Sequence, residues 1–338
     1  MVVCPTVPRL SRPKRTGEVL EDMRRNGKPR PWRRYKRESL DIAAAYRILG
    51  EYRRSERMAE CGTYLKFREC DAGHRKLTGA NFCRLRLCSM CSSRRALLVA
   101  AQVHAVAHAA VQRQPELRFI FLTLTVPNVP GELIGETVTT LYSAFQRACR
   151  TRAVKDINVG YFRALEITYS PTRRDFHPHL HVLVAVPGQF FSRKHKLYLS
   201  HDQWLALWCK AMRDDRITQV HVSAVRPKKM GGDAIASAAA EVAKYTVTGQ
   251  TLIQATERET ATVVGHVDQG LHGRRLVQFG RQFSRIKKEL RLVDAETASS
   301  QDLVAVGYEP GCLCPVCQLP LFEHVFRWMG GRDGDYVG

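Results

Sequence analysis

A chain of 338 residues, 44% hydrophobic and 25% charged, has apolar material for one catalytic domain of ordinary size with one or two appendages. Its 53 Lys and Arg against 32 Asp and Glu give a formal net charge of +21, which points to a polyanionic partner, nucleic acid first. No apolar run approaches the ~18 residues of a spanning helix, no secretory signal opens the chain and no G-x-x-x-x-G-K-S/T stretch is present; a membrane-spanning protein, a secreted protein and a P-loop motor are set aside, and the chain reads as soluble and cytoplasmic. In that setting its 11 cysteines are better explained by metal than by disulfides.

Residues 1–57 combine Arg and Lys runs (RRNGKPRPWRRYKR, then YRRSERM) with prolines and one modest apolar segment at 42–49. They read as a partly ordered basic arm, a solvated extension in preference to a DNA-reading element. From Cys61 the pattern changes to CGTYLKFRECDAGHRKLTGANFCRLRLCSMCSSRR. Segments 63–68 and 75–82 flank the turn signal Asp71-Ala72-Gly73 and are expected to pair as a hairpin. A turn centred near residues 72 and 73 sets Cys61 opposite the Cys83 end and leaves Cys70 ~20 Å away at ~3.3 Å per residue. Cys61, Cys83, Cys88 and Cys91 then make a Cys4 set of the zinc-ribbon kind; the competing set replaces Cys61 with Cys70 or His74. Four thiolates close the shell, so this zinc is structural. Arg84, Arg86, Arg94 and Arg95 beside it are candidates to grip phosphates, with a solvated rim as the alternative.

Residues 96–111 look helical, and His104 and His108, four apart without an acidic partner, read as helix surface or core. RFIFLTLTV at 118–126 is a strand stopped by Pro127-Asn128, 131–150 is a helix and 160–169 a second strand. The strand that organises the rest is FHPHLHVLVAV, residues 176–186. Alternate side chains of a strand share a face, so His179 and His181 project together and can chelate a cation. A hairpin centred near Arg173 and Arg174 places Glu166 across from His181, within one residue, and completes a two-His, one-carboxylate set. Open positions and the basic charge suit Mg or Mn delivered to a phosphate, although Zn or non-haem Fe fit the ligand types too. His177 has the same parity and is a reserve ligand.

Trp204, Leu205, Trp208 and Met212 fall at helical spacing and read as core, and 219–225 as a strand. Residues 233–247, DAIASAAAEVAKYTV, form an alanine-rich helix with Glu241 and Tyr245 four apart on one face. A tyrosine hydroxyl can attack a phosphodiester and hold the strand as a phosphotyrosine, with Glu241 accepting a proton from it or from water. The plain alternative is an exposed turn with a weak Glu241–Lys244 pair. In the tail, GCLCPVCQLPLFEH crowds Cys312, Cys314 and Cys317 into half a zinc ribbon; a second zinc needs a fourth ligand, for which His324 is the nearby candidate, and the alternative is metal-free thiols.

Taken in order, FLTLTVPN, FHPHLHVLV and EVAKY resemble the three motifs of the plasmid rolling-circle replication initiators, the Rep proteins of the HUH endonuclease superfamily with a single catalytic tyrosine. The similarity covers about residues 61–290. It implies an α+β fold, a five-stranded antiparallel sheet with packed helices, here joined to an N-terminal zinc-ribbon-like module. Carried residue by residue, it puts a divalent ion at His179 and His181, the nucleophile at Tyr245, and activation of water at termination on Glu241, a role known in one branch of the family. Glu166 rests on the hairpin geometry instead. Partners implied are origin DNA, double-stranded and extruded single-stranded, with a host helicase and polymerase. The expected layout is a basic arm (1–57), a zinc module (58–95), an HUH nickase/ligase domain (96–292) and a tail (293–338). Tyr169 and Tyr198 are formal candidates for a second tyrosine. Competing readings are an HUH transposase or relaxase, and a non-catalytic zinc protein that binds DNA.

Overall fold

A computed structural model of the chain describes residues 17–23, 27–192, 194–195, 197–225, 234–243, 249–306 and 313–338. Its strands, in chain order, are β1 (Tyr64–Glu69), β2 (Arg75–Ala80), β3 (Arg118–Thr125), β4 (Gly160–Ser170), β5 (Asp175–Val186), β6 (Val220–Ala224), β7 (Val277–Arg281), β8 (Phe322–Met329) and β9 (Asp335–Val337). The chain divides into two units, Met1–Arg94 with Ala298–Gly338, and Arg95–Thr297. No helix among the described residues is long and apolar enough to cross a membrane.

The first unit is built on a four-stranded sheet in the order β2-β1-β8-β9. The expected hairpin is present: β1 pairs antiparallel with β2, with an irregularity between Lys66 and Phe67, and on its other edge with β8 from Tyr64↔Arg327 to Glu69↔Phe322. Within the stretch 1–57, the expectation of a solvated arm is corrected for residues 32–57. Helices Trp32–Ile48 and Tyr52–Glu60 occupy that stretch, and the first buries Trp32, Ser39, Ile42 and Tyr46 at helical spacing while Arg33, Arg34 and Arg47 stay outside. Phe67 meets Trp32 and Phe326 edge-to-face at 6.2 and 6.0 Å. Each such ring taken from water contributes roughly 2 kcal/mol. That core draws on Trp32 from near one end of the chain and Phe326 from near the other.

The second unit carries the five-stranded sheet, β6-β3-β5-β4-β7, antiparallel throughout. Its central strand β5 is buried along almost its whole length, which is why 182–186 is apolar without alternation. On one face Leu122, Leu124 and Val184 meet Phe145 and Ala148 of helix Ile134–Arg150 and Trp204 and Trp208 of helix His201–Met212. The Trp208 indole N–H donates to the Thr125 carbonyl at 2.8 Å and fixes the end of β3. Helix Ala234–Ala243 packs on β4 and β5, and its Ala238, Ala239 and Val242 are buried.

Candidate active site

The register of β5 between its neighbours builds the histidine face. His181 pairs with Thr123 on β3 and Ala164 on β4; His179 pairs with Thr125 and Glu166. The turn after β4 closes on Ser170↔Asp175, so Glu166 stands opposite His179, not His181 as the sequence suggested. The shift is two residues, which preserves parity and keeps the carboxylate on the histidine face. Ala164, opposite His181, has no bulk to block the diagonal. Glu166 Oε2 therefore lies 2.8 Å from His179 Nε2 and 2.9 Å from His181 Nε2. Both imidazoles are buried, at 7% and 5% exposure, and their rings meet edge-to-face at 4.7 Å.

The outer nitrogens are anchored as well. His179 Nδ1–H donates to the His177 carbonyl at 3.1 Å, His181 Nδ1 sits 3.2 Å from the Thr123 hydroxyl, and the Phe121 ring stacks on His181 at 5.6 Å. A carbonyl only accepts, so Nδ1 of His179 carries a proton and Nε2 is the nitrogen turned toward the carboxylate oxygen. Two imidazole nitrogens and a carboxylate oxygen converging at these distances form a donor set that fits a divalent ion. Burial raises the Glu166 carboxyl, but hydrogen bonds and charge from His179 and His181 outweigh it and bring it down to about 2, so it is an anion throughout the working range. His177 does not join the set: it contributes its backbone carbonyl and stacks its ring on His179 at 4.9 Å. Thr123 and Phe121 escaped the sequence reading, although β3 parity places both on the histidine face.

Of the pair expected to be catalytic, Glu241 lies on helix Ala234–Ala243, which packs on β4 and β5, with its side chain outside the described residues. Tyr245 lies outside the described residues altogether. Tyr169 rests on Phe176 at 4.9 Å, and Tyr198 on Phe190 at 5.5 Å.

In the first unit Cys61, Cys83, Cys88 and Cys91 converge, their Sγ atoms all within 4.8 Å of one another. Cys61 to Cys91 is 3.6 Å, Cys83 to Cys91 3.7 Å and Cys61 to Cys88 3.5 Å. These are the ~3.75 Å edges of a tetrahedron with ~2.3 Å metal–sulfur bonds, and far from the ~2.05 Å of a disulfide. The amides of Cys83 and Arg84 donate to the sulfurs of Cys61 and Cys91 at 3.3 and 3.2 Å. Lys36, fully buried, donates from its ammonium to the Ala59 and Cys61 carbonyls at 2.5 and 2.8 Å. A cation at that place offsets part of the negative charge that four thiolates leave around a divalent ion. Sequence reasoning missed it because a lysine among arginines in 30–37 looks like surface.

Arg94 and Arg95 correct the phosphate reading. Both are buried; Arg94 donates to the Leu303 and Val304 carbonyls at 2.8 and 3.1 Å, and Arg95 to the Ala295 carbonyl at 3.2 Å. Arg94 thus ties down the end of helix Ser300–Ala305 and Arg95 the turn at Ala295. Of the tail cysteines, Cys314 and Cys317 lie beside Cys70 and His74, and Cys312 lies outside the described residues. His324 is not their fourth partner: β8 carries it to a position opposite Phe67, where its Nδ1 faces Glu69 at 3.6 Å.

A His-x-His pair and a carboxylate on adjacent inner strands of a five-stranded antiparallel sheet, with a helix packed on those strands, define an α+β protein of the HUH type. Residues 74–311 match the replication-protein family. The chain is 36% identical over 294 residues to a "Protein rep" of Lactiplantibacillus plantarum, covering 86% of this chain and 91% of that protein. It is 34% identical to the "Protein rep" of Streptococcus pneumoniae serotype 2, covering 82% and 85%, and 34% identical to that of Bacillus amyloliquefaciens, covering 86% and 90%. No solved structure matches the chain. The chain belongs to the Rep family of plasmid replication initiators.

Proposed function

We propose that this chain starts rolling-circle replication of a plasmid by nicking one strand of the origin. The Tyr245 hydroxyl attacks the scissile phosphate, a bond forms from phosphorus to the tyrosine oxygen, and the bond to the 3′ oxygen breaks. The phenolic proton leaves, the 3′ oxygen gains a proton, and the products are a 5′-phosphotyrosine and a free 3′-hydroxyl primer. The observation that carries the reading is the convergence of His179 and His181 on Glu166 in a chain whose relatives are replication proteins. A Mg or Mn ion held by those three residues would supply polarisation of the phosphate and charge stabilisation worth several kcal/mol.

The chain's own groups do the remainder. The basic surface binds origin DNA, duplex and extruded single strand, through its phosphates. The His177 carbonyl and the Thr123 hydroxyl keep the imidazoles oriented, and Glu241 takes a proton from the tyrosine as it attacks or from the water that ends the round. A host polymerase extends the primer and a host helicase separates the strands, in the cytoplasm. Zinc in the Cys61 set is structural. Relatives that are named replication proteins favour a replicon over a transposase or relaxase. Incubation with supercoiled plasmid carrying the cognate origin and Mg or Mn should give open circles joined covalently to protein; a protein that only shifts the plasmid on a gel, with no open circles, ends the reading.

Two variants dissect the site. Glu166→Gln keeps the side-chain volume and removes the anion, and should weaken divalent-ion affinity on the order of tenfold to a hundredfold with an unchanged melting curve, read by calorimetric titration with Mn. Glu241→Ala should still nick but accumulate the covalent adduct or overshoot termination, since hydrolysis is the step it serves. Equal loss of initiation and termination would assign it to the tyrosine proton instead.

A further inference from the structure

Two tight turns meet at one end of the four-stranded sheet. The first closes β1 and β2: the Gly73 amide donates to the Cys70 carbonyl at 2.9 Å, the Cys70 amide donates to the His74 carbonyl at 3.2 Å, and Gly73 takes the left-handed φ of 78° that the turn needs. The second is the C-P-V-C turn of the tail. There the Gln318 amide donates to the Cys314 carbonyl and the Cys314 amide to the Leu319 carbonyl, both at 2.8 Å, and Leu313 bridges to Pro320. Each turn holds two ligand-type side chains toward the other.

Cys70 Sγ lies 3.4 Å from His74 Nδ1 and 3.5 Å from Cys317 Sγ, and Cys314 Sγ lies 3.6 Å from His74 Nδ1. All four atoms fall within 4.8 Å of one another. The sulfurs are too far apart for a disulfide, and the spacings are the ~3.5–3.8 Å edges set by ~2.3 Å zinc–sulfur and ~2.0 Å zinc–nitrogen bonds. Cys70 and Cys314 are buried, so their thiols are held in this arrangement by the fold. Three thiolates and an imidazole form a soft set that selects zinc over the hard ions suited to the histidine strand.

We propose that Cys70, His74, Cys314 and Cys317 bind a zinc ion that clasps the C-terminal strands to the N-terminal hairpin. The ion sits one residue beyond the Glu69↔Phe322 pair, where the β1–β8 ladder begins. Binding displaces the three thiol protons to solvent and leaves His74 neutral, so four protein–zinc bonds tie together segments that sequence alone keeps far apart. The clasp is structural, since its shell leaves no open position for substrate.

The full-length protein decides it by metal content after EDTA challenge, followed by exchange into Co(II) and visible absorption. His74→Ala and Cys314→Ser should each hold one zinc fewer per chain than the parent and melt several degrees lower. His74 is exposed, so its replacement disturbs no core. His74→Cys should retain the parent zinc count and move the Co(II) bands toward those of a tetrathiolate. An unchanged zinc count in both loss variants, or a Co(II) spectrum that His74→Cys does not move, overturns the assignment. Metal content does not depend on DNA chemistry, so failure here leaves the nicking reading standing, and the reverse.

Discussion

In a Tyr245→Phe protein, nicking of origin plasmid and the covalent protein–DNA adduct should vanish together while origin binding stays within a few-fold. The substitution removes one oxygen and keeps the ring, so every contact that grips DNA survives and only the nucleophile is lost. Loss of a nucleophile costs on the order of 10⁴-fold or more in rate, beyond what a gel assay detects. Tyr245 follows Glu241 by four residues in the EVAKY motif, two positions after the last residue of helix Ala234–Ala243. A labelled oligonucleotide carrying the nick site, resolved on a denaturing protein gel, reads adduct and cleavage at once. An adduct of wild-type yield in the Phe variant moves the nucleophile to another residue.

The second large effect belongs to the histidines. His179→Gln with His181→Gln should abolish the dependence of nicking on Mg or Mn and lower its rate about a thousandfold, equivalent to the several kcal/mol that a bound ion contributes to a charged transition state. Gln fills most of the imidazole volume, which matters because both positions are buried on the central strand. A circular dichroism melt close to the parent's separates lost chemistry from lost fold. Wild-type nicking by the double variant in Mn would remove the strand from the mechanism. The single variants should fall between, each leaving one imidazole and Glu166 of the donor set.

How much of this was legible follows from the range of each interaction. The H-x-H face and the Glu166 face follow from strand parity, a local rule, so the set was readable although the hairpin register was off by two. The Cys61 set was readable for a similar reason: a hairpin closes it, and Cys88 and Cys91 follow within a few residues. What stayed hidden is non-local. Helix Trp32–Ile48 shows a thin apolar stripe among arginines, and its packing partner Phe326 comes from the far end of the chain through Phe67. Cys70 and His74 looked like rejected alternatives, and Cys314 and Cys317 like an incomplete knuckle; each half lacked the other. Arg94 and Arg95 carried no mark in the sequence that their partners would be carbonyls.

The pairing of β1 with β8 also imposes an order on the birth of the protein. At ~5–20 residues per second, tens of seconds separate the emergence of the β1–β2 hairpin from that of the strand that covers it. Meanwhile Leu65 and Phe67 have no Phe326 to pack against, whereas residues 95–297 already contain every strand of their own sheet. The nascent chain therefore carries a finished sheet beside an open one, and a message cut short before codon 322 would yield a polypeptide with the histidine strand in place and a sticky, unclosed N-terminal half, a target for chaperones and proteases before it could meet a plasmid.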